Sequence, residues 1–106
     1  MHYIDVAWTH TYPSEPVRIV TEIDAERWET RKLEFFADGR VGWASGDASR
    51  HDTTLDEEQM PSLKEINSTP QFEAVAMDEV EFEALWLEHA HPGEDADEAG
   101  AEDEDE

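Results

Sequence analysis

The segment RWETRKLEFFADGRVGWAS, residues 27–45, constrains the fold most strongly, because it contains two strand-like runs on either side of an Asp-Gly pair. Asp38-Gly39 supplies residues that tolerate a positive φ in a tight turn, which is typical of a β-hairpin. The sequence therefore predicts one strand over residues 27–36 and a returning strand over residues 41–44.

The apolar pattern of the first of these strands is interrupted. In regular alternation Trp28 would lie on one face, whereas Leu33 and Phe35 would lie on the other. An additional residue near Arg31 and Lys32 would bring all three to one face, as a β-bulge does. We therefore expect a bulge or a strong twist at that point.

Further strands are indicated before and after this hairpin. Residues 3–10 alternate in apolar character, and residues 16–24 repeat the pattern after a proline-containing turn. The apolar run 72–77 is the candidate for a fifth strand. The residues expected on core faces are Ile4, Val6 and Trp8 in the first strand, and Val17, Ile19 and Ile23 in the second.

Two helices are predicted in the second half of the chain. Ser62 and Glu65 have the spacing of a capping box, which predicts a short helix from Ser62 to Asn67. Asp78 is a suitable N-cap for a longer helix over residues 78–91. The apolar stripe of this helix must be buried against the sheet, and it consists of Phe82, Leu85, Trp86 and His89.

The predicted fold is α+β: an antiparallel β-meander of four or five strands, packed by a C-terminal α-helix, plus a short helix. Residues 1–92 form this single domain. The tail of residues 93–106 is acidic and has no aromatic residue. It buries too little apolar surface to offset its chain entropy, so we expect it to be disordered.

The chain carries 29 acidic and 7 basic residues, for a formal net charge of -22. Because nucleic-acid affinity depends on Lys and Arg, this excess argues against DNA or RNA as a partner. It favours a basic protein partner, whose encounter an acidic surface accelerates. Three other interpretations stay open: a role in solubility, a saline habitat, or mimicry of nucleic-acid phosphates by ordered carboxylates.

The composition also limits the compartment and the chemistry. Cysteine is absent, which excludes disulfides and thiol nucleophiles. The amino-terminal residues do not resemble a secretory signal, and no apolar run reaches the roughly 18 residues needed to span a membrane. A cytoplasmic protein without membrane association is expected.

No residue pattern assigns a catalytic or metal site. Nucleophile motifs and glycine-rich phosphate loops are absent. The five histidines lack the spacing of metal ligands, and the acidic loop over residues 47–58 lacks the calcium-binding pattern. We therefore expect no catalytic residue, no metal and no cofactor, and the sequence favours a non-enzymatic protein.

Four of the seven basic residues lie in the hairpin region. They could bind an anion or an acidic loop of a partner, or they could pair with acidic neighbours across strands. Pairing is the favoured interpretation, since each cross-strand pair contributes about 0.2–1 kcal/mol. The basic residues are Arg27, Arg31, Lys32 and Arg40, and the acidic neighbours are Glu22, Glu29 and Glu34.

The aromatic residues divide into two groups. Trp8, Trp28 and Trp86 fall on predicted core faces, where a domain of this size needs their apolar area. If Trp43 and Phe36 are exposed together, they would mark an interface. The pattern also leaves open the direction of Tyr3 and Tyr12.

Four segments resemble, in order, a small bacterial domain family of unknown function: YIDVAWTH, ERWETRKLEFFADGRVGWAS, LKEINSTPQFE and EFEALW. The family motifs are YIxVxWxH, RWExRKxExFxDGRxG and EINxxPxF. The resemblance covers residues 2–88, except for the loop after Ser45. It implies a compact α+β unit without assigned catalytic residues, and the occurrence of such domains near toxin and immunity genes implies partner binding.

The leading functional prediction is a non-enzymatic protein-binding module, of the immunity or antitoxin type, whose acidic surface meets a basic partner. The alternative is a small-ligand-binding or catalytic domain that uses the open face of the sheet. The identity of the partner or ligand and the oligomeric state stay open. The residues predicted to bind the ligand or partner are Tyr3, His10, Arg31, Arg40 and Trp43.

Overall fold

The computed structural model describes residues 1–46, 48–50 and 53–90. Within these residues, six strands and two helices follow one another along the chain. The strands are β1 (His2–Trp8), β2 (Pro16–Ile23), β3 (Glu29–Phe36), β4 (Val41–Ser45), β5 (Ser49–Arg50) and β6 (Phe72–Met77). The helices are α1 (Leu63–Asn67), which precedes β6, and α2 (Glu79–His89).

The strands form one antiparallel sheet in the order β5-β4-β3-β2-β1-β6. β1 to β5 are a meander, and β6 returns to the free side of β1. The predicted α+β class is confirmed, with the C-terminal helix and the short helix in place. The described residues form six strands rather than four or five, because Ser49–Arg50 adds an edge strand too short to show periodicity.

Both predicted helix starts are confirmed. The Ser62 hydroxyl accepts the N–H of Glu65 at 3.1 Å, and the Glu65 carboxylate accepts the N–H of Ser62, which completes a capping box. The Asp78 carboxylate accepts the N–H of Glu81 at 2.8 Å. Neither helix of the described residues is long and apolar enough to cross a membrane.

β3 contains a bulge directly before the predicted position. Glu22 of β2 pairs with Arg31, whereas the next residue, Ile23, pairs with Glu29. Thr30 is therefore the additional residue. The bulge resets the alternation of β3, and the rest of the strand keeps a regular apolar face.

The prediction that Trp28 faces the core is wrong, because its side chain is 41% exposed. The turn before β3 carries it outward. Arg27 has a positive φ of 72°, and the Asp24 carboxylate accepts the N–H groups of Glu26 and Trp28. The turn therefore sets the direction of Trp28 independently of the strand alternation.

α2 packs on one face of the sheet through aromatic side chains. Phe82 is fully buried, and its ring centroid lies 5.0 Å from that of Tyr3. The Trp86 ring meets Trp43 edge-on at 5.8 Å. The buried cluster on this face consists of Tyr3, Val20, Leu33, Trp43, Phe82 and Ala90.

The opposite face is covered by α1 and by residues 53–61, which we call the strap. The buried residues on this face are smaller, namely Ile4, Val6, Ile23 and Ala74. Around them pack the partly buried side chains of Ile19, Met60, Leu63, Ile66 and Phe72. Both faces of the sheet are thus covered, but by elements of different size.

Polar contacts tie the strap to β3 and to the turn before it. The Thr53 hydroxyl donates to Glu34 at 2.8 Å, and the Met60 N–H donates to the Arg27 carbonyl at 2.7 Å. Gly42 permits this close approach, since a Cβ at that position would collide with Thr53 Oγ1. The strap therefore lies directly against the sheet.

α1 closes the outer edge of β6. The side-chain amide of Asn67 donates to the Ala74 carbonyl at 2.9 Å, and its oxygen accepts the Ala74 N–H at 2.6 Å. These backbone groups are the ones that an additional strand would use. Asn67 thus blocks strand addition in the middle of the edge.

The predicted disordered tail, residues 93–106, lies outside the described residues, as do His51, Asp52 and His91.

Candidate functional site

The structure brings together three of the five residues predicted to bind a ligand or partner. Tyr3, Arg31 and Trp43 lie on the sheet face beneath α2, where Tyr3 is 8% exposed and Trp43 is 1% exposed. α2 occupies the space above them. Trp43 is covered and does not form an exposed pair with Phe36, whereas Tyr3 also lines a pocket of about 310 Å³ beside the start of α2.

Arg31 links the sheet to α2. Its Nη2 lies 2.7 Å from Glu22 Oε2 and 2.6 Å from Glu83 Oε2. Its guanidinium also lies 4.9 Å from the ring centroid of Phe82 and 5.0 Å from that of Trp86. The cation is therefore held by two carboxylates and two rings, which makes it an anchor for the helix.

Burial and charge shift the acid–base behaviour of this cluster. The hydrogen bond from Arg31 holds the pKa of Glu22 below its ordinary value of 4.5, although burial opposes the shift. Burial raises the pKa of the Tyr3 hydroxyl above 10.0, and the charge of Glu22 adds to this. Glu22 is thus ionised and Tyr3 neutral at neutral pH, which suits a structural cluster.

His10 and Arg40 lie apart from that cluster. His10 Nδ1 accepts the N–H of Tyr12 at 2.9 Å, so Nε2 carries the proton and donates to the Pro16 carbonyl at 2.7 Å. The Arg40 side chain bonds the Asp38 carboxylate at 3.0 Å. Both residues stabilise local turns.

Cross-strand pairing is confirmed for one of the four basic residues of the hairpin region, Arg31, and the other three make different contacts. Arg31 pairs with Glu22 across strands, whereas Lys32 pairs with Glu29 of its own strand at 2.9 Å. Arg40 pairs across its turn, as described above. Two expected participants differ: the Arg27 guanidinium donates to the carbonyls of Met60 and Pro61, and Glu34 accepts the Thr53 hydroxyl.

A cleft of about 170 Å³ lies between α1, the strap and the sheet. Its apolar walls come from Val6, Ile19, Met60, Ile66 and Phe72. Its polar lining comes from Thr21, Glu29, Lys32 and Asp56. Sequence analysis did not identify this cleft, since the residues come from six separate segments.

A buried ion pair lines the polar end of the cleft. The side chains of Lys32 and Glu29 are 7% and 3% exposed, with Nζ and Oε1 2.9 Å apart. Lys32 also donates to the Thr54 carbonyl at 3.1 Å, and Glu29 Oε1 accepts the N–H of Asp56 at 2.8 Å. The pair therefore holds the strap against β3.

Thr21 adds an unusual polar group to the cleft lining. It is fully buried, and its Oγ1 has no hydrogen-bond partner among the described residues. A buried hydroxyl without a partner costs about 1–3 kcal/mol. Within the described part of the chain, no three His, Asp or Glu side chains group to hold a metal ion.

A second candidate surface extends from β6 into the first turn of α2. Four exposed carboxylates follow one another here, together with two exposed apolar side chains, Val75 at 52% and Val80 at 79% exposure. We call this surface the acidic patch. Its residues are Glu73, Val75, Asp78, Glu79, Val80 and Glu81.

Comparison with protein families identifies residues 2–91 as a domain of unknown function, DUF6881. The chain therefore belongs to this family. No curated protein and no solved structure matches the chain. The family description assigns no activity.

Proposed function

We propose that the chain is a non-enzymatic protein-binding module that presents an acidic surface to a basic partner. One observation carries the proposal: four of the seven cations are paired with carboxylates of the same chain, whereas many carboxylates are exposed. Arg18, Arg31, Lys32 and Arg40 each pair with a carboxylate of the same chain. Each pair cancels one cation against one carboxylate, so the excess acidic charge falls on the exposed carboxylates.

The acidic patch is the part of this surface that best suits a partner. Its carboxylates steer and orient a basic protein. Val75 and Val80 supply apolar area that is available for burial in a complex, at about 25 cal/mol per Å². Because Asn67 occupies the backbone of Ala74, we expect side-chain contacts rather than strand addition.

The proposed acidic interface suits a role in immunity to a toxin. A bacterial cytoplasmic protein of the immunity or antitoxin type would cover a basic site of a toxin with such a surface. Its support is the net charge of -22, together with the resemblance of the YIDVAWTH and EINSTPQF segments to small bacterial domains.

The test is capture of a partner from the source cells by the full chain and by two charge-matched variants. One variant, E73K/E79K/E81K, reverses the acidic patch. The control, E15K/E57K/E58K, makes the same charge change at exposed acids elsewhere. Capture is compared at about 0.1 M and about 0.5 M salt, since screening shortens with ionic strength.

We expect the same basic protein to be retained by the original chain and by the control, and to be lost from the patch variant and at high salt. Equal capture by both variants would place the binding surface elsewhere. Capture that is insensitive to salt would contradict an acidic interface.

A further inference from the structure

We propose that the cleft between α1, the strap and β1–β3 binds a small, uncharged amphipathic molecule with one apolar ring or a short branched chain and one hydroxyl group. This site lies on the face opposite α2 and is separate from the acidic patch. The inference is therefore independent of the proposed partner binding.

The size of the cleft limits the apolar part of the ligand. Its volume is about 170 Å³, and an apolar cavity of about 150 Å³ accommodates one benzene ring. The walls are aliphatic and aromatic, with Ile19 and Val6 from the sheet, Ile66 from α1 and Phe72 from β6. A single ring or a branched chain of similar volume therefore fits.

The charges at the polar end select an uncharged ligand. Lys32 already neutralises Glu29, and both side chains are more than nine-tenths buried. A further charge placed beside them would lose its hydration without gaining an opposite partner. Asp56 is 68% exposed, so water screens it. Carboxylates, phosphates and amines are therefore disfavoured.

Two hydrogen-bonding atoms of the cleft are the reason for proposing a hydroxyl group on the ligand. Thr21 Oγ1 has no partner among the described residues. Both contacts of Glu29 use Oε1, so the described residues leave Oε2 without a hydrogen bond. Thr21 is fully covered in this structure, so a ligand hydroxyl bonds Thr21 only after the side chain turns Oγ1 toward the cleft. The hydroxyl can then bond Thr21 as donor or acceptor and donate to Glu29.

The test uses benzyl alcohol as the probe, titrated into the full chain and followed by amide chemical shifts in NMR spectra. Toluene, benzoate and benzylamine serve as comparators of the same ring size. We expect benzyl alcohol to bind with a dissociation constant on the order of 1 mM. The shifts should concentrate on residues 19–21, Met60, Ile66 and Phe72, and the two charged probes should bind at least about tenfold more weakly.

Two variants, with one replacement, distinguish binding at the cleft from nonspecific binding of apolar molecules. Thr21→Val removes the hydroxyl and keeps the shape, so benzyl alcohol should bind about fivefold more weakly while toluene is unchanged. Ile66→Trp fills the cleft and should abolish binding of both probes. Met60→Trp fills it from the strap and replaces Ile66→Trp if that variant fails to fold.

Shifts on the α2 face, or equal affinity of the original chain and Thr21→Val for benzyl alcohol, would overturn the proposal. Tighter binding of benzoate or benzylamine would overturn the choice of an uncharged ligand. Because these titrations use the chain alone, their outcome leaves the partner-binding proposal unaffected.

Discussion

The face beneath α2 is filled by aromatic rings, whereas the face beneath α1 and the strap contains a cleft. Phe82, Trp43 and Trp86 interdigitate on the first face, and Arg31 ties them to the sheet. On the second face, small side chains form the core, and a buried ion pair holds an irregular segment in place. The α2 face is thus stabilised by buried apolar area, whereas the face beneath α1 and the strap depends on polar contacts.

This difference indicates a division of roles. The aromatic rings of the α2 face pack against one another, so this face supplies stability. A five-residue helix and the strap cover less apolar surface, and they leave Thr21 without a described partner. Natural proteins keep such imperfect packing mainly where a site needs it.

Phe82→Ala should have the largest effect, because it opens a cavity in the centre of the α2 face. We expect a loss of about 4 kcal/mol in the free energy of unfolding, measured by urea denaturation. Leu87→Ala on the same helix is the control, since Leu87 is 71% exposed. A loss under about 1 kcal/mol for Phe82→Ala would mean that α2 contributes little.

Lys32→Met should destabilise the other face by about 3 kcal/mol, because it leaves the Glu29 carboxylate buried without its cation. The double variant K32M/E29Q leaves neither charge of the pair, so it should recover part of this loss in the free energy of unfolding. Lys64→Met, at an exposed position of α1, is the control. If the double variant is no more stable than Lys32→Met, the ion pair does not hold the strap.

Asn67→Ala should cost about 2 kcal/mol, since it removes two hydrogen bonds to the backbone of β6. It should also expose the strand edge and promote self-association, which sedimentation velocity measures. The exposed neighbour Gln71 provides the control variant Gln71→Ala. A monomeric Asn67→Ala protein would show that other residues protect the edge.

The stability of the α2 face should fall in acid. The pKa of Glu22 is lowered in the folded protein, so its contribution is complete above 4.5 and is lost as the pH falls through the lower folded value. Glu22→Gln should reduce stability at pH 7 by about 1.5 kcal/mol and flatten the decline below pH 4.5. Glu15→Gln, at an exposed site, should leave the pH profile unchanged.

The sequence predicts those parts of the fold that local chemistry determines. The Asp38-Gly39 turn, the Ser62 capping box and the Asp78 N-cap each depend on neighbouring residues, and all three occur as expected. The apolar periodicity predicted Trp28 on a core face, and this is wrong because the positive φ of Arg27 redirects the chain before β3.

Local sequence patterns could not predict the cleft or the contact of Asn67 with the edge of β6. Thr21 and Lys32 become cleft residues only when the strap, residues 53–61, folds back across the sheet. Asn67 gains its role from a backbone group seven residues away. Contacts between separate segments of this kind leave no period in the sequence.

The account is tested most directly by the free energy of unfolding of Thr21→Val, measured by urea denaturation without ligand. If the Thr21 hydroxyl is buried without a partner, replacing it with a methyl group should increase stability by about 1 kcal/mol. A decrease of similar size would show that the hydroxyl is satisfied, and it would contradict the division between a stabilising face and a face kept for binding.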